Sequence, residues 1–346
     1  MAITSLILRL TERCNLRCAY CYAALPGRSV PDMPEELAIQ AVRACCPEGG
    51  SLDVQFTGGE PLLALPVMEA VYSFGKETGR NLRLAVQTNA TLLSPSVCRR
   101  LAAIHCAVGV SLDGTANANA LRVFPDGSPS FAAAVEGIRN LGQCGVRCGM
   151  TTVVTSVSAP YLGRLPDLAM WLGNVDGVGL DLFRPLGRGE GQLLAPEPET
   201  LADGLNALCR RTAEVRRMGY LFQVRELERI KRRRAQGSCS GLYCYAQTDR
   251  SLAVDGSGSC WPCSSLTGIE GLCLGNIRDG IPKLPVEAPC LSTPPECTRC
   301  PSFSVCLGGC PARRLTSPNR TDTLICTMTK TLAAQVDGEN ENQEAK

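Results

Sequence analysis

Cys14-Asn15-Leu16-Arg17-Cys18-Ala19-Tyr20-Cys21 follows directly on the apolar run Leu6-Ile7-Leu8-Arg9-Leu10. Its spacing, C-x3-C-x2-C, puts three thiols on one short loop after a strand. Three thiolates can hold three irons of a cubane [4Fe–4S] cluster and leave the fourth iron without a protein ligand, whereas a ferredoxin site takes four cysteines and is closed. An iron with an open position can chelate a small molecule, so such a cluster is reactive as well as redox-active. Three structural cysteines, or part of a zinc site, would share the spacing.

Outward from this loop, strand-like and helix-like segments alternate. Strands are expected at 6–10, 52–57, 82–87, 107–112, 146–155 and 177–183. Helical spacing of apolar residues occupies 35–46, 62–78, 95–104, 130–144 and 160–172. Six strands separated by helices make an α/β fold with a parallel sheet, open or curled into a partial barrel. Loops at the C-terminal strand ends would then carry the chemistry. Thr57-Gly58-Gly59-Glu60-Pro61 stands at the second strand end, Gln87-Thr88-Asn89-Ala90 at the third and Ser111-Leu112-Asp113-Gly114 at the fourth.

With these strand ends in view, the chain resembles the radical S-adenosylmethionine (SAM) superfamily. The resemblance implies a partial (β/α)6 barrel, with Cys14, Cys18 and Cys21 holding the SAM-binding cluster and Tyr20 packing near the adenine. It implies that Gly58 and Gly59 allow close backbone approach, while the Glu60 carboxylate suits the amino group of the methionine moiety. Asn89 and Asp113 belong to the same pocket by resemblance, although either could simply cap a turn. Ser111 would bond the ribose and Arg122 the SAM carboxylate. Ala90 departs from the glycine usual in the family. The implied chemistry is reductive cleavage of SAM to a 5′-deoxyadenosyl radical that abstracts a substrate hydrogen, with the cofactor carrying the hard step.

The distal third is written differently. From 239 to 326 the chain has short segments rich in Cys, Gly and Pro, too poor in large apolar residues to fold by burial alone, so metal ligation is expected to stabilise it. Cys297-x2-Cys300-x5-Cys306-x3-Cys310 and Cys326 follow Cys239, Cys244 and Cys263. Together they resemble the SPASM domain, the auxiliary-cluster domain of peptide-modifying radical SAM enzymes. Eight thiolates suffice for two closed [4Fe–4S] sites. By analogy Cys239, Cys244, Cys263 and Cys310 form one, and Cys297, Cys300, Cys306 and Cys326 the other, giving three clusters in all. Two zinc knuckles would meet the same count, and Cys260, Cys273 or Cys290 could replace an assigned ligand. The resulting organisation is a barrel over 1–190, a helical linker over 191–238, a SPASM domain over 239–330 and a disordered tail over 331–346.

Composition narrows the rest. Lys and Arg number 35 against 33 Asp and Glu in 346 residues, so no global field attracts nucleic acid. No apolar run reaches the roughly 18 residues of a membrane span. The start of the chain lacks the pattern of a signal peptide, and a cytoplasmic location is expected. There are 21 cysteines and one histidine, His105; reduced cysteines are soft ligands for iron–sulfur clusters or zinc. Cys45, Cys46, Cys98, Cys106, Cys144, Cys148 and Cys209 lack ligand spacing and read as small buried hydrophobes.

Pairing of barrel and SPASM domain implies an oxidoreductase acting on a ribosomally made peptide or protein, forming a thioether or another crosslink. An external electron donor such as flavodoxin or ferredoxin is implied. No fused leader-binding domain is expected ahead of the first strand, so leader recognition falls to the barrel mouth or a separate protein. The cysteine layout is similar to that of anaerobic sulfatase maturases, which convert Cys or Ser to formylglycine. They carry an aspartate, proposed to take the substrate proton, directly after the cysteine matching Cys263. Here the position is Ser264, a poor base at neutral pH. An iron–sulfur electron-transfer protein or zinc scaffold is the alternative outside enzymes, but it gives no reason for an open three-cysteine site followed by Gly58-Gly59-Glu60.

Overall fold

A computed structural model of the chain describes residues 3–236, 242–283, 291–317 and 322–344, with side chains up to residue 338. Six parallel strands follow one another in chain order: β1 (Ser5–Thr11), β2 (Ser51–Gly58), β3 (Asn81–Thr88), β4 (Ala107–Ser111), β5 (Cys148–Val154) and β6 (Val175–Leu182). Between them run α1 (Glu35–Cys45), α2 (Leu65–Glu77), α3 (Pro95–Ala103), α4 (Phe131–Gln143) and α5 (Leu165–Leu172). The chemical cause is a period-two pattern in the strands. Leu6, Leu8 and Leu10 of β1, and Leu52, Val54 and Phe56 of β2, are fully buried in one core with Leu37, Ala38, Ala41 and Val42 of α1. Each buried leucine contributes about 2 kcal/mol relative to leaving it in water. The alternate residues Ile7, Gln55, Gln87 and Thr151 line a cavity on the other face. A concave, largely polar lumen lies there, as a curled sheet requires.

The sheet does not stop at six strands. α6 (Pro198–Arg217), β7 (Gln223–Val224) and α7 (Arg225–Ala235) follow, and β7 pairs in parallel with Gly177 and Val178 of β6. The stretch expected as a helical linker over 191–238 therefore contains a strand of the barrel sheet. On the opposite edge, β8 (Ser251–Val254) pairs in parallel with β1, and β9 (Ser259–Trp261) and β10 (Gly275–Asn276) extend it antiparallel. The cysteine-rich part thus grows from the same ten-stranded sheet. Its own core is small: Ala253, Trp261, Leu266, Leu272, Leu291 and Ala312, with Cys263 and Cys310 packed against it.

The short helices α8 (Pro295–Thr298), α9 (Phe303–Cys306) and α10 (Pro311–Arg314) lead to α11 (Thr323–Glu344). The disordered tail expected over 331–346 is corrected here: α11 runs through it to residue 344. Leu332, Ala333 and Val336 are buried, with α11 packed on α6 and α7. Gln335 donates to Asn206 at 3.0 Å, and Arg234 pairs with Asp337 at 2.8 Å. Polar residues on the outer face hid this apolar stripe. Among the described residues no helix is long and apolar enough to cross a membrane.

Candidate active site

The loop carrying Cys14, Cys18 and Cys21 is held from three sides. Arg17 and Ala19 donate their backbone N–H groups to Val123 and Leu121 at 2.7 and 2.9 Å, and Arg188 reaches the Cys18 carbonyl at 3.0 Å. On the third side, Gly59 N–H meets the Thr11 carbonyl at 2.7 Å and Glu60 N–H the Arg13 carbonyl at 2.8 Å. This approach explains the two glycines. A Cβ on Gly58 would stand 2.3 Å from the Thr11 oxygen, and one on Gly59 2.2 Å from the Arg13 oxygen. Gly58 also has φ +144°, a conformation that favours glycine.

Above the loop lies a cavity of about 180 Å³ walled by Cys14, Cys18, Cys21, Gly58, Gly59, Asn89, Ser111 and Arg122 among others. Tyr20 joins the same wall, and the structure shows what fixes it. Its hydroxyl donates to Asp113 and receives a bond from Arg122 at 2.7 Å, all three residues being buried. Asp113 also accepts from Val153 N–H at 2.9 Å. Asp113 is therefore off the wall and acts by holding Tyr20 and Arg122, as a network whose members each need the others. Glu60 is anchored in a similar way. Fully buried, it accepts from Leu62 N–H at 3.1 Å, Thr88 Oγ1 at 2.7 Å and Asn89 N–H at 2.8 Å. Its carboxylate holds strand ends together, and its charge acts on Cys14 and Arg122 of the cavity wall. Asn89 bonds Asn15 at 2.8 Å and lies 3.8 Å from the Cys14 sulfur. Ser111 accepts from Gln87 at 2.9 Å. Ala90, where the family has glycine, keeps a positive φ of 67°.

The cysteines sort by mutual electrostatics. Burial pushes the Cys18 thiol up to about 11, with Cys21 and Cys14 adding to it and Arg122 opposing. Burial likewise raises Cys244 to about 11 and Cys263 to about 12, and each is raised further by Cys310. Cys326 is raised by burial and then by Cys306 and Cys297; Cys297 in turn feels Cys306 and Cys300. Cys310 thus faces Cys244 and Cys263, although it stands only four residues after Cys306. Cys239 and Cys290 lie outside the described residues. Cys260 turns the other way, into the main core, where burial raises it to about 12 and its thiol neighbours are Cys45 and Cys273. A thiol must lose its proton to bind a metal, so binding at any of these groups would release protons. Among the described residues no three His, Cys, Asp or Glu side chains converge on a point that one metal ion could occupy. Thiolates around a cubane stand further apart than those around a single ion. The three thiol groups, the glycine cradle and the flanking Arg122 fit a cluster with a chelated small molecule.

A second cavity, about 360 Å³, continues inward and shares Tyr22, Thr57, Gln87, Thr151, Asp181 and Arg184 with the first. Its far wall carries Cys263, Ser264 and Cys310. Ser264 accepts from the buried Arg9 at 3.4 Å. Asp181 and Arg184, paired at 2.6 Å, escaped the sequence reading. Their signal was an acidic residue inside the apolar strand 177–183, near its C-terminal end. His105 sits in the turn between α3 and β4, tilted against Tyr72, and lines neither cavity.

Residues 8–159 match the family model described as Radical SAM superfamily. Over 276 residues the chain is 31% identical to the uncharacterized protein MJ0907 of Methanocaldococcus jannaschii, covering 79% of this chain and 88% of that one. It is 26% identical over 328 residues to the serine-type anaerobic sulfatase-maturating enzyme of Klebsiella aerogenes, 86% of this chain and 77% of the other. The solved structure of native anSMEcpe with bound AdoMet and Cp18Cys peptide shares the fold, with TM-score 0.82 at 22% identity over 99% of both chains.

Proposed function

This chain belongs to the radical SAM superfamily, and from that premise we propose that it is an oxidative maturase of a ribosomally made peptide or protein. It is an enzyme, and its family implies SAM and one [4Fe–4S] cluster. When bound, these supply a 5′-deoxyadenosyl radical that takes a hydrogen atom from substrate. In this reading Cys14, Cys18 and Cys21 hold that cluster, while Arg122, Ser111 and Asn89 orient SAM on the cradle of Gly58 and Gly59. Tyr20 is kept in place by Asp113, and Glu60 keeps the strand ends together. Cys244, Cys263 and Cys310, with Cys239, hold one auxiliary cluster; Cys297, Cys300, Cys306 and Cys326 hold another.

The observation that carries the reading is the paired cavity. One wall is the SAM side of the barrel, and the other bears Cys263 and Cys310. A substrate side chain between them stands where a hydrogen is lost to one side and an electron to the other. The likeness in fold to a protein solved with AdoMet and a peptide supports a peptide substrate. An external flavodoxin or ferredoxin supplies the reducing electron, entering beside the exposed Cys14, and leader recognition uses the barrel mouth or a separate protein. Sulfatase maturation is the second reading, favoured by the identity to the Klebsiella aerogenes enzyme and opposed by Ser264.

Co-expression with the short precursors or sulfatases encoded beside the gene, followed by mass spectrometry, tests the proposal. Loss of two hydrogens from a crosslinked precursor is expected. Unchanged precursors beside an altered sulfatase peptide would move the assignment to the second reading, and no change in any of them would overturn both.

A further inference from the structure

The proposed reaction needs a proton acceptor beside the substrate, and the geometry points to Asp181 as that residue. This inference rests on the maturase reading above. Closing a C–S bond, or oxidising a side chain to C=S or C=O, removes one hydrogen atom, one electron and one proton from substrate. The hydrogen atom goes to 5′-deoxyadenosyl. The electron goes to an oxidised auxiliary [4Fe–4S] cluster, the acceptor required for balance. The proton leaves an S–H or O–H as the new bond to carbon forms, and it needs a base in the same cavity.

Among the described residues Asp181 is the one carboxylate on the walls of both cavities. Its neighbours are excluded one by one. Glu226, on the inner wall, is buried and commits both oxygens, to Arg225 at 2.8 Å and to Leu180 N–H at 2.9 Å. Burial holds Tyr243 up at about 12. Ser264 takes a bond from Arg9, and neither Asp113 nor Glu60 is on the walls of either cavity. Asp181 instead has a side chain 30% exposed, with Oδ1 bonded to Arg184 at 2.6 Å. Among the described residues no donor is bonded to Oδ2, which is left for substrate.

Arg184 then ties this carboxylate to the far wall. It donates to Ser265 at 3.0 Å, two residues past Cys263, and stacks over Tyr22 at 4.6 Å, one residue past Cys21. Asp181 is thereby fixed between the hydrogen-abstracting side and the electron-accepting side, where the departing proton appears. Oxidation of the adjacent carbon makes the substrate S–H or O–H strongly acidic, so a carboxylate within reach suffices as the acceptor.

The test uses full-length, anaerobically reconstituted enzyme, SAM, dithionite and a perdeuterated form of the precursor peptide identified by co-expression. Deuterium in 5′-deoxyadenosine reports hydrogen abstraction, and the peptide mass reports completed oxidation. In Asp181→Asn the ratio of oxidised peptide to deuterated 5′-deoxyadenosine is expected to fall about 100-fold. Unoxidised peptide that has exchanged one deuterium for hydrogen should accumulate, and Asp181→Glu should recover part of the ratio. Affinities for SAM and peptide, from equilibrium dialysis, should stay within about threefold, since the role assigned is proton transfer. A wild-type ratio in Asp181→Asn overturns the inference. So does loss of deuterium transfer in step with weakened SAM or peptide binding, which would make Asp181 a positioning residue. If wild-type enzyme itself places no deuterium in 5′-deoxyadenosine, the maturase reading falls first and takes the inference with it.

Discussion

The barrel and the cysteine-rich region share one sheet but are held together by different forces. From β1 to β6, apolar side chains alternate on the strands and recur at helical spacing in α1 to α5, and they bury one another in a continuous core. From β8 to α10, Leu252, Val254, Cys260, Ile277 and Val305 join that same core, while a separate cluster of six residues has Cys263 and Cys310 packed against it. Burial stabilises the first region without help. In the second, the small separate cluster offsets little of the chain entropy, about 1–2 kcal/mol per residue, and the proposed ligation of the distal thiols would supply the difference. The proposed function gives cysteine two uses: three thiols on a loop that would start the chemistry, and distal thiols that would hold auxiliary clusters.

Removing iron should break the comparison open most widely. Chelation under reducing conditions is expected to raise amide hydrogen exchange across 259–283 and 291–317 by about 1,000-fold or more, while β2 to β5 keep their protection. Equal deprotection of both regions would mean that burial and ligation are not divided in this way. Next in size is Cys14→Ala, which should lower bound iron by about four per chain and leave the auxiliary absorbance in place. Loss of all iron in that variant would tie the distal clusters to the first.

Arg122→Met attacks the buried polar network inside the burial-stabilised region. It leaves Asp113 with Tyr20 but without a cation, and should cost about 3 kcal/mol in urea unfolding; a cost under about 1 kcal/mol would show that the network is not coupled. Gly59→Ala places a methyl against the Arg13 carbonyl and should cost about 2 kcal/mol, with weakened SAM binding measured by dialysis. The smallest effect is expected from Cys260→Ala. This change trims a core side chain for about 1 kcal/mol at unchanged iron content, and lost iron would move Cys260 into a ligand set.

Legibility in the sequence followed the same division. All six barrel strands were placed within about three residues, because alternation and helical spacing are local signals. Gly58 and Gly59 were legible as a close approach, though not the partners, Thr11 and Arg13, which only the fold brings near. The motif positions of Glu60 and Asp113 point to the pocket, but not to their anchors: both carboxylates accept bonds from backbone N–H groups and neighbouring side chains. Strands β7 to β10 were missed because two to four residues carry no period, and the helical tail because its polar face outnumbers the stripe of Leu332, Ala333 and Val336. Asp181 stood in plain view within an apolar strand, but its role depends on two cavities that meet only in three dimensions.

In the proposed function the loop of Cys14, Cys18 and Cys21 starts a SAM-derived radical. Anaerobically reconstituted protein, with its iron counted, should be incubated with SAM and dithionite and assayed for 5′-deoxyadenosine by mass spectrometry. Wild-type protein is expected to release it and Cys14→Ala to release none. A fully iron-loaded wild-type protein that leaves SAM intact would contradict the account.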